Sequence, residues 1–124
     1  MSAAAVQREL INVLGVEPRE LADQGNGGKL AAGSQAGYVE LVTAGAETRT
    51  LPDPTFKGQQ IDIVFVTDGG DCVVTSDSPI NQAGRNTMTF ADIGDHLRLV
   101  AFYNATDGWE WRVLANDGVA LTTV

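Results

Sequence analysis

The chain has 124 residues and a formal net charge of −8, with eight Lys and Arg against sixteen Asp and Glu. A chain of that length is one domain, which buries a modest core and gains much from oligomerising. The basic residues are scattered from Arg8 to Arg112 with no cluster, so nucleic acid is excluded as a direct partner: an acidic surface repels phosphate.

Cys72 and His96 are the only residues of their kinds. One cysteine forms no intrachain disulfide and one Cys with one His builds no zinc site or catalytic pair, so no metal, no cofactor and no enzyme activity is expected. Cys72 stands in Asp-Cys-Val-Val-Thr and reads as a buried strand thiol. No apolar run reaches the length of a membrane helix, and no secretory signal is expected at the N-terminus.

The spacing predicts a helix over residues 3–14. Val6, Leu10, Val13 and Leu14 fall on one face, Ser2 caps the start and Gly15 ends it. A weaker helix is expected over 18–23, with Pro18 in its first turn. Residues 25–37 hold five glycines and few large side chains, which reads as a flexible linker or irregular arm. The expected organisation is therefore a helical arm over 1–37 and an antiparallel β domain over 38–124. An apolar stripe on so short a helix needs a surface, either its own domain or another chain.

From Tyr38 onward short strands alternate with turns. Strands are expected at 38–43, 48–51, 60–67, 72–76, 87–90, 95–103, 109–114 and 119–122. The fold class is mainly β, an antiparallel sandwich or small barrel. Asp68-Gly69-Gly70 reads as a tight hairpin turn joining the strands around Val64 and Val73. Residues 95–114 form a second hairpin around Asn104-Ala105-Thr106-Asp107-Gly108, and they carry both tryptophans, Trp109 and Trp111. Two strands turn apolar on both faces towards their ends, at Val64 and Val66 and at Val100 and Phe102. A sheet that wets one face has no use for these four, so they are expected to be covered, either by the N-terminal helix or by a neighbouring subunit at a subunit interface.

The remaining constellations read as structure. Asp68 with Asp71, and Asp92 with Asp95, lack the spacing of a calcium loop and suit turns. His96 has no nucleophile context around it. Gly25 to Lys29 lacks the spacing of a phosphate loop. Asn104-Ala105-Thr106 matches a glycosylation sequon and reads as turn residues. Tyr103, Trp109 and Trp111 give an alternative, an aromatic platform for a glycan.

One resemblance goes further. Thr48-Arg49-Thr50-Leu51-Pro52, Gly58, a strand over 60–66, Cys72-Val73-Val74, Asn81 to Gly84, Gly94-Asp95-His96-Leu97-Arg98-Leu99-Val100 and Gly108-Trp109-Glu110-Trp111-Arg112-Val113 follow in order. This outline, over residues 46–115, resembles the small β domains of tailed-phage structural proteins, most of all capsid decoration (cement) proteins. The resemblance implies a non-enzymatic virion protein on the capsid exterior, a homotrimer that binds the major capsid protein and stabilises the head. It also implies that the N-terminal arm, through Val6, Leu10, Val13 and Leu14, contacts the capsid or an adjacent protomer. A tail, baseplate or fibre component with the same fold is the alternative, and a glycan-binding module the second.

Overall fold

The computed structural model describes residues 19–30, 37–81 and 84–124, and none of these is helical. The expected helix over 3–14, with Val6, Leu10, Val13 and Leu14, lies outside the described residues. Among the described residues ten strands form one curled, mixed sheet: β1 (Arg19–Leu21), β2 (Gly28–Lys29), β3 (Gly37–Val42), β4 (Glu47–Leu51), β5 (Gln60–Thr67), β6 (Cys72–Ile80), β7 (Arg85–Phe90), β8 (His96–Asn104), β9 (Gly108–Asp117) and β10 (Ala120–Thr122). The fold is mainly β and curls into a half-barrel, within the class expected.

The main path runs β1-β3-β5-β8-β9-β6-β4-β2, with β7 on β6 and β10 on β7. The chain steps from wing to wing. β1, β3 and β5 lie parallel in one wing, and β2, β4 and β6 lie parallel in the other. The antiparallel β8–β9 hairpin bridges them. The pairing is therefore mixed rather than antiparallel throughout, because successive strands do not pair with each other until β6 meets β7.

This topology corrects the turn expected at Asp68-Gly69-Gly70. β5 pairs β3 and β8, β6 pairs β4, β7 and β9, and the two never pair with each other. Residues 68–71 cross between wings, as residues 43–46 do, and the two crossovers stack. Thr43 N donates to Thr67 O (3.0 Å), Glu47 N to Asp71 O (3.0 Å) and Thr43 Oγ1 to Gly70 O (2.7 Å), while Gly69 N donates to Thr43 Oγ1 (3.0 Å). A Cβ on Gly70 would lie 2.4 Å from the Gly45 carbonyl carbon, and one on Gly69 2.4 Å from Thr43 O. Close backbone approach, not a tight turn, is what requires these glycines. Gly70→Ala is expected to cost about 1–3 kcal/mol in urea denaturation, as overpacking does. Gly45→Ala, whose Cβ meets nothing within 4 Å, serves as the near-neutral control.

The weaker helix expected over 18–23 is corrected too. Arg19, Glu20 and Leu21 pair in parallel with Gly37, Tyr38 and Val39. Leu21 packs on the core, and sheet pairing along β3 outweighs a helix with so little apolar surface. Residues 19–30, expected as arm, thus contribute two short strands to the sheet. Gly28 and Lys29 pair with Arg49 and Thr50, and Leu30 is fully buried.

Alternation builds the core. Val39 and Leu41, Ile61, Ile63 and Phe65, and Leu97, Leu99 and Ala101 point inward from one wing. Leu51, Cys72, Val74, Ile80, Met88 and Phe90 meet them from the other, with Trp111 between. Two seams join the wings of the half-barrel. At the first, Ile80↔Trp111 is the single register pair between β6 and β9. At the second, β1 and β2, the two ends of the sheet path, are consecutive in the chain, and the loop between them is clamped by Arg49. Its Nε donates to Asp23 Oδ1 (2.6 Å) and its Nη2 to Asp23 Oδ2 (2.9 Å).

Candidate functional site

The β8–β9 hairpin is present as expected, with Tyr103 opposite Trp109 and Ala101 opposite Trp111. It fixes the outer face of the bridging strands row by row. Gln60, Val100 and Arg112 form one row, Asp62 and Arg98 the next, and Glu40, Val64 and His96 the third. The middle row is ionic: Asp62 Oδ1 accepts from Arg98 Nε (2.8 Å) and lies 2.8 Å from His96 Nε2. His96, the only histidine, is thus a strand-face partner of a carboxylate.

The four residues expected at a subunit interface share this outer face but do not form one patch. β5 and β8 are antiparallel, so the C-terminal ends of the two strands lie at opposite ends of the pair. Val64 and Val66 sit at the crossover end, and Val100 and Phe102 towards the hairpin tip, about 20 Å away at 3.3 Å per residue. Val100 is only 8% exposed, whereas Phe102 is 49% exposed.

At the crossover end, Val66 gains two neighbours that alternation did not single out. Val42 closes β3 opposite Thr67, where the register shifts by a bulge. Ile93 lies in the turn that hydrogen-bonds β5, with Gly94 N donating to Phe65 O (2.8 Å) and Phe65 N to Asp95 O (2.9 Å). Val42, Val66 and Ile93 are exposed, Ile93 to 69%. Glu40, Asp68 and Asp92 are exposed around them. An aliphatic in the middle of Asp92-Ile93-Gly94 was the available sequence signal, since such turns seldom carry one.

At the hairpin tip an open groove of about 620 Å³ is lined by Phe102, Tyr103, Asn104, Thr106, Asp107, Glu110 and Arg112. Its floor is an ion pair: Arg112 Nε and Nη2 each lie 2.9 Å from Glu110 Oε1, with the Glu110 side chain 5% exposed. Asn104 Oδ1 accepts from Thr106 N (3.0 Å) and Asp107 N (2.6 Å), which sets the turn. The Asp107 carboxylate and Thr106 hydroxyl make no hydrogen bond among the described residues.

The glycan platform of Tyr103, Trp109 and Trp111 is not assembled as drawn. Trp111 is fully buried in the core. Tyr103 and Trp109 meet edge to face, with centroids 5.2 Å apart and planes at 71°, so they offer no common stacking plane. Trp109 and Trp111 share a face, as their spacing requires, but the sheet curls over one and leaves the other half-buried.

The other candidates are structural. The Asp95 carboxylate accepts from Ala91 N (3.0 Å) and Asp92 N (3.1 Å), and Asp68 from Gly70 N (3.1 Å), so both organise turns. Cys72 is buried, and that burial pushes its thiol up to about 11, against the pull of the Arg49 charge. A thiol so shifted is a poor nucleophile. No family model and no curated protein matches the chain.

Proposed function

We propose that the chain is a phage capsid decoration protein that binds the outside of the shell through its crossover end. The observation that carries this reading is the exposure of three aliphatic side chains, Val42, Val66 and Ile93, on two strand ends and a turn whose backbones adjoin at the crossover end, beside half-buried Val64. Apolar area gives such a contact its affinity, and charge at the rim gives it orientation. The rim of Glu40, Asp68 and Asp92 favours a basic surface over a second copy of this chain, whose net charge is also −8. The major capsid protein is the partner that the sequence resemblance supports.

Arg19 pairs with Gly37 at the start of β3, whereas Val42 is at its end. The described chain therefore begins, at Arg19, at the end of β3 away from the patch. This division favours the patch as the contact to the shell and the stripe of Val6, Leu10, Val13 and Leu14 as the link between protomers of a trimer. Many modest contacts of this kind sum to a tight assembly.

Val66→Asp with Ile93→Asp is expected to weaken co-sedimentation with capsid shells more than tenfold, since each change buries an unpaired charge at the interface. Both side chains are exposed, so the circular dichroism and urea midpoint stay near wild type. Unchanged sedimentation would reject the crossover end as the docking surface. Removal of residues 1–18, which spares Asp23 and β1, is expected to lower the mass in solution from trimer to monomer with the β domain folded.

A further inference from the structure

We propose that the groove at the hairpin tip binds a neutral sugar ring. Its walls and its polar groups divide as a pyranose requires. Phe102 and Tyr103 present half-exposed rings, and the C–H face of a pyranose packs on aromatic surface. Hydroxyl groups donate and accept at once, so their site must offer both. Asn104 has its Oδ1 committed to the turn and its Nδ2 free to donate, and Arg112 commits Nε and Nη2 to Glu110 and leaves Nη1. The Asp107 carboxylate accepts, and the Thr106 and Tyr103 hydroxyls do either.

The charges narrow the ligand further. Glu110 already neutralises Arg112, and Asp107 adds a negative charge, so a uronate, sialate or phosphate meets repulsion. A cation would satisfy Asp107 and the rings but leave the free donors of Asn104 and Arg112 facing like charge. The volume of about 620 Å³ takes one or two sugar units and leaves the groove open to a longer chain. Because the groove and the aliphatic patch lie at opposite ends of the β5–β8 pair, a shell-bound protein keeps it accessible.

The test is saturation-transfer NMR on the full chain with methyl glucoside, methyl galactoside, methyl mannoside and N-acetylglucosamine, each at millimolar concentration, against glucuronate and choline. Transfer to at least one neutral pyranoside is expected, reduced roughly tenfold by Phe102→Ala and by Asp107→Ala. The Asp107 carboxylate holds no structural bond, so Asp107→Ala keeps the fold and isolates the recognition step. Three results would overturn the proposal: no transfer to any neutral pyranoside, transfer indifferent to both substitutions, or transfer confined to glucuronate or choline. None of them bears on shell binding, which the patch variants test separately.

Discussion

Arg49→Ala is expected to lower the free energy of unfolding by about 3–5 kcal/mol, the range for breaking a buried ion pair from one side. The Arg49 side chain is 0% exposed and Asp23 is 10% exposed. The guanidinium spends its donors on Asp23, on Thr48 O (2.9 Å) and Val42 O (3.1 Å), with Glu47 Oε1 3.1 Å away. Asp23 in turn accepts from Val42 N (3.0 Å) and Gly25 N (3.2 Å). Removing the arginine leaves carboxylates facing a cavity and frees the loop that it ties to β4 at one seam between the wings. Urea denaturation reads the loss, and an unchanged midpoint would contradict the assignment.

The same clamp sets an acid limit. Burial opposes ionisation of Asp23, but the Arg49 guanidinium and the Val42 and Gly25 amides outweigh it and hold the carboxyl below its usual range. The folded state therefore binds fewer protons than the unfolded chain near the ordinary aspartate value of about 3.9. The contribution is complete above that value and is lost as pH falls through the lower, folded-state one. Arg49→Ala is expected to flatten this acid limb of the stability curve.

Trp111→Ala is expected to cost about 3–5 kcal/mol, as large-to-small changes of buried aromatics do. The ring sits at the other seam, where Ile80↔Trp111 is all that pairs β6 with β9. Trp111→Phe is expected to cost under about 1.5 kcal/mol. Among the described residues Trp111 Nε1 is the one buried side-chain donor without a partner, so losing it breaks no hydrogen bond. If Trp111→Phe proved as damaging as Trp111→Ala, the indole N–H would have to be bonded in the folded protein.

Strands were legible wherever period-two alternation coincided with β-branched residues. The 60–67 strand has its expected bounds, and the 95–114 hairpin pairs as its turn chemistry implied. Pairing partners were not legible, because alternation fixes which face a residue takes and not which strand lies beside it. Asp68-Gly69-Gly70 has the same composition whether it turns a hairpin or crosses to another wing. β1 and β2 were missed because they are three and two residues long and owe their conformation to β3 and β4. β6 continues to Ile80, past the expected 76, because its second half shifts register at Ser76 to Pro79 and takes β9 as a new partner. Pro79 lacks an N–H and suits that break in the ladder.

The apolar outer positions were readable one strand at a time, and their separation to opposite ends followed only from the antiparallel register of β5 and β8. The groove was not readable, since Phe102, Asp107 and Arg112 meet only once the hairpin tip has folded.

Electron cryo-microscopy of phage capsid shells incubated with this 124-residue chain tests the proposed shell binding most directly. The account predicts added density at three-fold positions on the outer surface, oriented with Val42, Val66 and Ile93 against the shell and the β8–β9 tip pointing outward. Bare shells at saturating protein, or density contacting the shell through the hairpin tip, would contradict it.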